Sequence, residues 1–260
     1  MIRHFQELVS YRDLLWLWTL RQVRVRYKQS LLGVVWAIIQ PLALTIVFTI
    51  VFSYFVGIDT GEVPYPIFLF SVMVPWTFFS SSLSSGIPSL VNNMNLVTKI
   101  FFPREILPLA NIGAAFVDFL LASLVLVGLM LYYHALPGLT VLWIFPLLFL
   151  QIVLSIGVVL LGSTIIVFFR DMRFVTPLLT MIWMYACPII YPVSQVPVEW
   201  RKIYFLNPTA GIIDGYRRVL VMGIAPRTDA ILIGTIVTLI LFIAGSFVFK
   251  RYEHVFADLI

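Results

Sequence analysis

Apolar positions fill this chain in long runs, and the polar positions between them are sparse. Charge-poor stretches cover about 31–56, 66–91, 106–133, 139–169, 174–192 and 230–249. Each meets the roughly 20 residues that a helix needs to cross ~30 Å of hydrocarbon. In lipid a backbone must satisfy its own hydrogen bonds, so the pattern predicts six transmembrane helices rather than strands. Pro41, Pro75, Pro88, Pro146, Pro177 and Pro188 mark expected kinks or ends.

The change of solvent is sharpest at Arg21–Pro41. Arg21, Arg24, Arg26 and Lys28 form a dense basic run, and no charge follows until Asp59. Before that boundary, residues 1–28 mix Ile2, Phe5, Leu14, Trp16 and Trp18 with Arg3, Glu7, Arg12 and Asp13. This composition predicts an amphipathic helix at the membrane interface. Helical spacing puts Arg21, Arg24 and Lys28 on one stripe. That stripe has two readings, phospholipid headgroup binding with topology control, or an electropositive entrance for an anionic substrate. With six spans, all 17 Lys and Arg except Arg201, Lys202, Arg217, Arg218 and Arg227 fall on the side of the N-terminus. Basic residues stay cytoplasmic, so both termini are expected there.

Two connections carry structure of their own. Asn92–Glu105, NNMNLVTKIFFPRE, has capping Asn residues, a stop at Pro103, and Leu96, Val97, Ile100 and Phe101 at helical spacing. So short a helix needs a groove for its apolar face. Pro192–Arg227 is too charged to span and too apolar for a free loop. Pro197, Asn207-Pro208 and Gly223 divide it, and a re-entrant or interfacial helical hairpin on the outer side is expected.

Composition fixes the class. The chain is 61% hydrophobic and 11% charged, against roughly 25% charged in soluble domains. An all-α integral membrane protein follows, with one domain over residues 1–260. The net charge of +5 is then topological and does not point to nucleic acid. Cys187 is the single cysteine, and His4, His134 and His254 are scattered, so no metal site is predicted. No G-x-x-x-x-G-K-[ST] is present, which excludes nucleotide binding by a P-loop in this chain. Asp118 is the one ionisable residue deep in a span. A central Asp costs about 2.5–3.5 kcal/mol, so pairing inside the bundle is expected. Phe48, Phe52 and Phe55 repeat at helical spacing, with Trp76 nearby. They serve either lipid contact and packing or a stacking lane for sugar rings.

Several segments, in order, resemble the membrane subunits of type-2 ABC exporters for polysaccharides, the permeases for O-antigen, capsule and teichoic acid. They are RYKQSLLGVVWAIIQPL, FFPREILPLA, FFRDMRFVTPLLTMIWMYACPIIYP and LNPTAGIIDGYRR. The resemblance implies a homodimeric permease in a bacterial inner membrane, docked on a separate cytoplasmic ATPase that holds ATP and Mg. This chain would bind no cofactor itself. It implies a coupling helix carrying Asn95, Leu96, Val97, Lys99, Ile100 and Phe101. It implies an entrance for a lipid-linked glycan near Arg21, Arg24, Arg26, Lys28, Leu32 and Gly33. Phe48, Phe52, Phe55 and Trp76 would line the conduit, and Trp200, Tyr204 and Tyr216 the outer gate. A permease for a drug, antibiotic or lipid keeps the same architecture. A membrane-embedded transferase would instead need chemistry from Asp59, Glu62, Glu199 or Asp214, whose spacing does not demand it.

Overall fold

The computed structural model describes residues 9–28, 32–57, 63–100, 102–135 and 137–259, and among these it is helical without strands. Helix α1 is Arg12–Tyr27. A 3-10 turn at Gly33–Val35 leads into α2, Trp36–Phe48, which continues as a π-helix over Thr49–Phe55. Helix α3 is Tyr65–Gly86. The short helices α4, Ser89–Asn92, and α5, Met94–Lys99, connect it to α6, Ile106–Tyr132. A 3-10 segment, Leu139–Trp143, opens α7, Ile144–Phe168, and α8 is Met172–Tyr185. Helices α9, Arg201–Tyr204, and α10, Pro208–Leu220, precede α11, Thr228–Tyr252, and α12, Phe256–Leu259.

Helix α3 is the centre of the bundle. Its residues are mostly buried, whereas those of α2 and α11 are mostly exposed. Leu44 and Ile46 on α2, Leu178 on α8, and Leu232 and Phe247 on α11 are among the exposed apolar side chains. Such a surface is costly in water and suits hydrocarbon. Among the described residues five segments are long and apolar enough to cross a bilayer: Trp36–Ser53, Tyr65–Gly86, Ile106–Tyr132, Leu139–Phe168 and Thr228–Val255. The chain is therefore a multi-pass membrane protein.

The predicted run 174–192 departs from a full helical span. Its helix α8 has 14 residues, about 21 Å at ~1.5 Å per residue, and ends at Tyr185. The backbone beyond it is irregular, and its carbonyls find partners outside the segment. Tyr65 Oη donates to Ile190 O at 3.0 Å. Arg217 Nη2 donates to Ile189 O at 2.7 Å and Nη1 to Tyr191 O at 3.3 Å. Arg217 is 0% exposed, and its guanidinium lies 3.7 Å above the Phe68 ring. Irregular backbone is tolerated at depth only when protein satisfies it in this way.

The segment expected to form a hairpin, 192–227, holds two 3-10 turns followed by α9 and α10. Asn207 caps α10, with its Oδ1 accepting from the Thr209 N–H at 3.2 Å and Pro208 in the first turn. Trp183 Nε1 donates to the same oxygen at 2.8 Å and ties α10 to α8. At the other end of α11, Phe249 and Phe256 are buried with Leu90, Val97 and Phe102. There the Arg104 N–H donates to Glu253 Oε1 at 3.3 Å. The 25 residues of α11 span roughly 37 Å, so α4 and α5 lie at one end of the bundle and the hairpin at the other.

Candidate functional site

The first polar feature inside the bundle is a cavity of about 360 Å³ between the end of α1 and helices α2, α3 and α6. Arg26, Tyr27, Gln40, Thr77, Ser81, Ser84, Ser85 and Asp118 bring polar groups to its wall, with Trp36, Phe78 and Phe119 beside them. A second cavity of about 300 Å³ lies between α2, α3 and α8, and is lined by Gln40, Trp76, Ser80, Ser81, Ser84 and Thr180, among others. Gln40, Ser81 and Ser84 border both. The two form one hydroxyl-rich trough along α3. Thr77, Ser80, Ser81, Ser84 and Ser85 build it, because spacing of three and four residues returns side chains to one helix face, while Ser82 is buried on another. The hydroxyls satisfy themselves locally. Thr77 Oγ1 donates to Met73 O at 2.7 Å, and Ser85 Oγ to Ser81 O at 2.6 Å. Their lone pairs can still accept, so the serine and threonine side of the wall is polar and uncharged, and the charges lie at Arg26 and Asp118.

One end of this trough is closed by ions. Asp118 pairs with Arg26 and also accepts a hydrogen bond from the Tyr27 hydroxyl. Arg26 Nη2 reaches Ser85 Oγ at 3.3 Å. Burial, and then the bond to Asp118, raise the Tyr27 phenol above its ordinary range. Pairing of the central Asp is thus as the sequence leads one to expect, and its partner is Arg26. That pairing separates Arg26 from the other residues expected at an entrance, since Asp118 neutralises it. Arg21, Arg24 and Lys28 are exposed, with the Arg21 guanidinium 4.3 Å from the Trp18 ring. Leu32 is also exposed, and Gly33 takes φ +53°, a left-handed conformation that glycine adopts readily at this α1–α2 joint. The end of α1 and the start of α2 both border the trough, through Arg26, Tyr27, Trp36 and Ala37.

The aromatic residues divide. Phe48 and Phe52 pack on the core edge-to-face, ring centroids 5.8 Å apart. Phe55 is 80% exposed and does not share their face. The reason is the π-helix at Thr49–Phe55, whose i→i+5 bonding widens the turn and breaks 3.6-residue register. Trp76 is buried, and packs on Phe79. Of the three residues expected at an outer gate, Trp200 is exposed. Tyr204 bonds Tyr191 through their hydroxyls at 3.2 Å. Tyr216 is buried within the bundle.

The connection after α3 also differs from its helical-wheel reading. Val97 is 1% exposed and packs into the protein's own interior, and Leu96 packs partly against the same cluster. Helix α5 stops at Lys99, and Ile100 is extended at φ −128°, ψ 135°. Ile100 therefore leaves the face of Leu96 and Val97 and is 55% exposed. Phe101 lies outside the described residues. The outward surface is Met94, Asn95, Thr98, Lys99 and Ile100. Among the described residues no group of three or more His, Cys, Asp or Glu could hold a metal ion.

A sequence model of the family described as "ABC-2 type transporter" matches residues 13–221, which runs from α1 through α10. This chain belongs to the ABC-2 type transporter family. It is 30% identical over 249 residues, 95% of each chain, to the O-antigen export system permease protein RfbA of Klebsiella pneumoniae. It is 27% identical over 262 residues, 99% of each chain, to the O-antigen export system permease protein RfbA of Myxococcus xanthus. It is 24% identical over 243 residues, 90% of this chain and 92% of the relative, to the polysialic acid transport protein KpsM of Escherichia coli.

Within this ABC-2 family member the residues that sequence reasoning passed over are Thr77 and the serines of α3. The signal was visible, since five serines fall within six residues of an otherwise apolar span. A serine costs little in a transmembrane helix when it bonds back to the preceding turn, which is why hydropathy does not flag it. Trp183, Asn207 and Thr209 were missed for another reason, because their network joins distant segments of chain.

Proposed function

We propose that this chain is the membrane subunit of an ATP-driven exporter that moves a lipid-linked polysaccharide, of O-antigen, capsule or teichoic acid type, across a bacterial inner membrane. The observation that carries this reading is likeness over 95% of the chain to a protein named for O-antigen export. The chain performs no covalent chemistry. A separate ATPase subunit holds ATP and Mg, and a second copy of this chain completes the conduit. Helix α8 with the irregular segment after it makes a sixth crossing, which leaves both termini cytoplasmic.

The exposed Arg21, Arg24 and Lys28 attract the phosphate of the lipid carrier. Arg26, held by Asp118, instead locks α1 to α6. The hydroxyls along α3 offer acceptors that a glycan exchanges as it slides, and the charges of Arg26 and Asp118 are spent on each other. Replacing Ser81 and Ser84 together by leucine is expected to lower surface polysaccharide about ten-fold while the chain accumulates normally. Unchanged surface polysaccharide would remove the trough from the pathway.

The outward face of α5 docks on the ATPase. Ile100→Glu puts a charge at an exposed site with no internal role, so insertion should be normal. A buried contact of this kind at an interface centre is worth about 2 kcal/mol or more, so ATPase recovery in a mild-detergent pull-down should fall by at least about ten-fold. Val97→Glu should instead lower the amount of folded chain. Undiminished ATPase recovery with Ile100→Glu would exclude this docking face.

A further inference from the structure

Cations are disfavoured on the membrane side opposite the main basic run. Arg201, Lys202, Arg217, Arg218 and Arg227 nevertheless sit in the hairpin, at that opposite end. Two of them have internal tasks. Arg217 satisfies the carbonyls of Ile189 and Tyr191. Arg218 Nε donates to Ala225 O at 2.9 Å and closes the turn that ends α10. The remaining three converge on one cavity of about 400 Å³, between α9 and the first turns of α11.

The walls of this cavity are of two kinds. Arg201, Lys202 and Arg227 face Asp229, and Ile203, Phe205, Leu206 and Ile233 supply the rest. Arg201 is preset, because its Nε donates to Val196 O at 2.9 Å and its Nη2 to Ser194 O at 3.3 Å. Arg227 is held from behind by Asp214, with Nε 3.4 Å from Oδ2. That contact fixes the Nε side of the guanidinium against Asp214. Lys202 is exposed, as are Ile203 and Leu206. With Asp214 counted beside Asp229, three cations face two acids, and the cavity keeps an excess of one positive charge. Its apolar half is unsuited to a freely hydrated ion and suited to an amphiphile.

We propose that this cavity binds the phosphate of an anionic lipid at the hairpin end of the bundle. Arg201 and Arg227 offer forked donors and Lys202 a point charge. Ile203 and Leu206 meet the first methylenes of the lipid chain. The phosphate comes from a bilayer phospholipid or from a polyprenyl carrier. The proposal does not rest on what the protein exports.

The test uses the full chain, with any subunits that co-purify, in nanodiscs of mixed phosphatidylglycerol and phosphatidylcholine. Retained lipid is counted by native mass spectrometry. Phosphatidylglycerol is expected to be retained over phosphatidylcholine. Lys202→Gln, at an exposed position, should lower its occupancy about five-fold, since each basic residue near a membrane surface contributes on that scale. Arg227→Gln should do the same, with elution volume confirming the fold. Displacement by polyprenyl monophosphate at lower concentration than phosphatidylglycerol assigns the site to a carrier, and the reverse order assigns it to bilayer lipid. Equal retention of the two phospholipids would overturn the proposal. So would unchanged occupancy in both variants, or displacement by inorganic phosphate as readily as by either lipid.

Discussion

Gly245→Leu is expected to prevent this protein from accumulating in folded form, and Gly245→Ala to lower its thermal midpoint measurably. Helices α7 and α11 cross with Gly157 and Gly245 backbone against backbone. A Cβ at Gly245 would meet Gly157 O at 2.2 Å, and one at Gly157 would meet the Phe242 backbone at 2.7 Å. Neither obstacle is the end of a flexible side chain, so the helices must separate. Overpacking typically costs 1–3 kcal/mol even where side chains give way. In lipid the loss is serious because close packing, rather than water exclusion, holds helices together. Gly128→Ala is the control, with nothing within 4 Å of its Cβ, and should be neutral or slightly stabilising. Fluorescence-detected size exclusion after heating measures all three. A Gly245→Ala protein as stable as wild type would show that this crossing is not tight.

Asp118→Ala should destabilise by about 3 kcal/mol, because it strands a half-buried Arg26 and removes the acceptor of Tyr27. Replacing both partners, Arg26→Met with Asp118→Leu, should cost less than the sum of the single changes, since the desolvated charge then disappears with its partner. The same heating assay, run as a double-mutant cycle, gives the coupling. Additive effects would mean that the pair does not hold α1 against α6.

Much of this architecture was legible in residue pattern. Loss of charge after Lys28 fixed where α2 begins, and the mixed composition of 192–227 announced a segment that is neither span nor loop. Burial of Asp118 in a pair followed from its cost in lipid. The misreadings arose where local geometry departs from a regular helix. Phe55 left the face of Phe48 and Phe52 because the helix widens into π-turns. Ile100 left the face of Val97 because α5 ends one residue earlier. The run 174–192 looked long enough to cross as one helix. Apolarity does not distinguish helical backbone from irregular backbone whose carbonyls are held by a distant Arg217. The serines of α3 stood out in the sequence, but their role as a cavity wall depends on which distant segments pack beside them. Such long-range satisfaction of polar groups is written in the fold and not in any window of sequence.

The central claim is export of a lipid-linked polysaccharide. Its most direct test is the distribution of that polymer in the source bacterium after deletion of this chain, measured as surface-exposed against cell-internal glycan. The account predicts loss from the surface, accumulation inside on its lipid carrier, and recovery on re-expression of the wild-type chain. Surface polysaccharide that persists unchanged, with none retained inside, would contradict it.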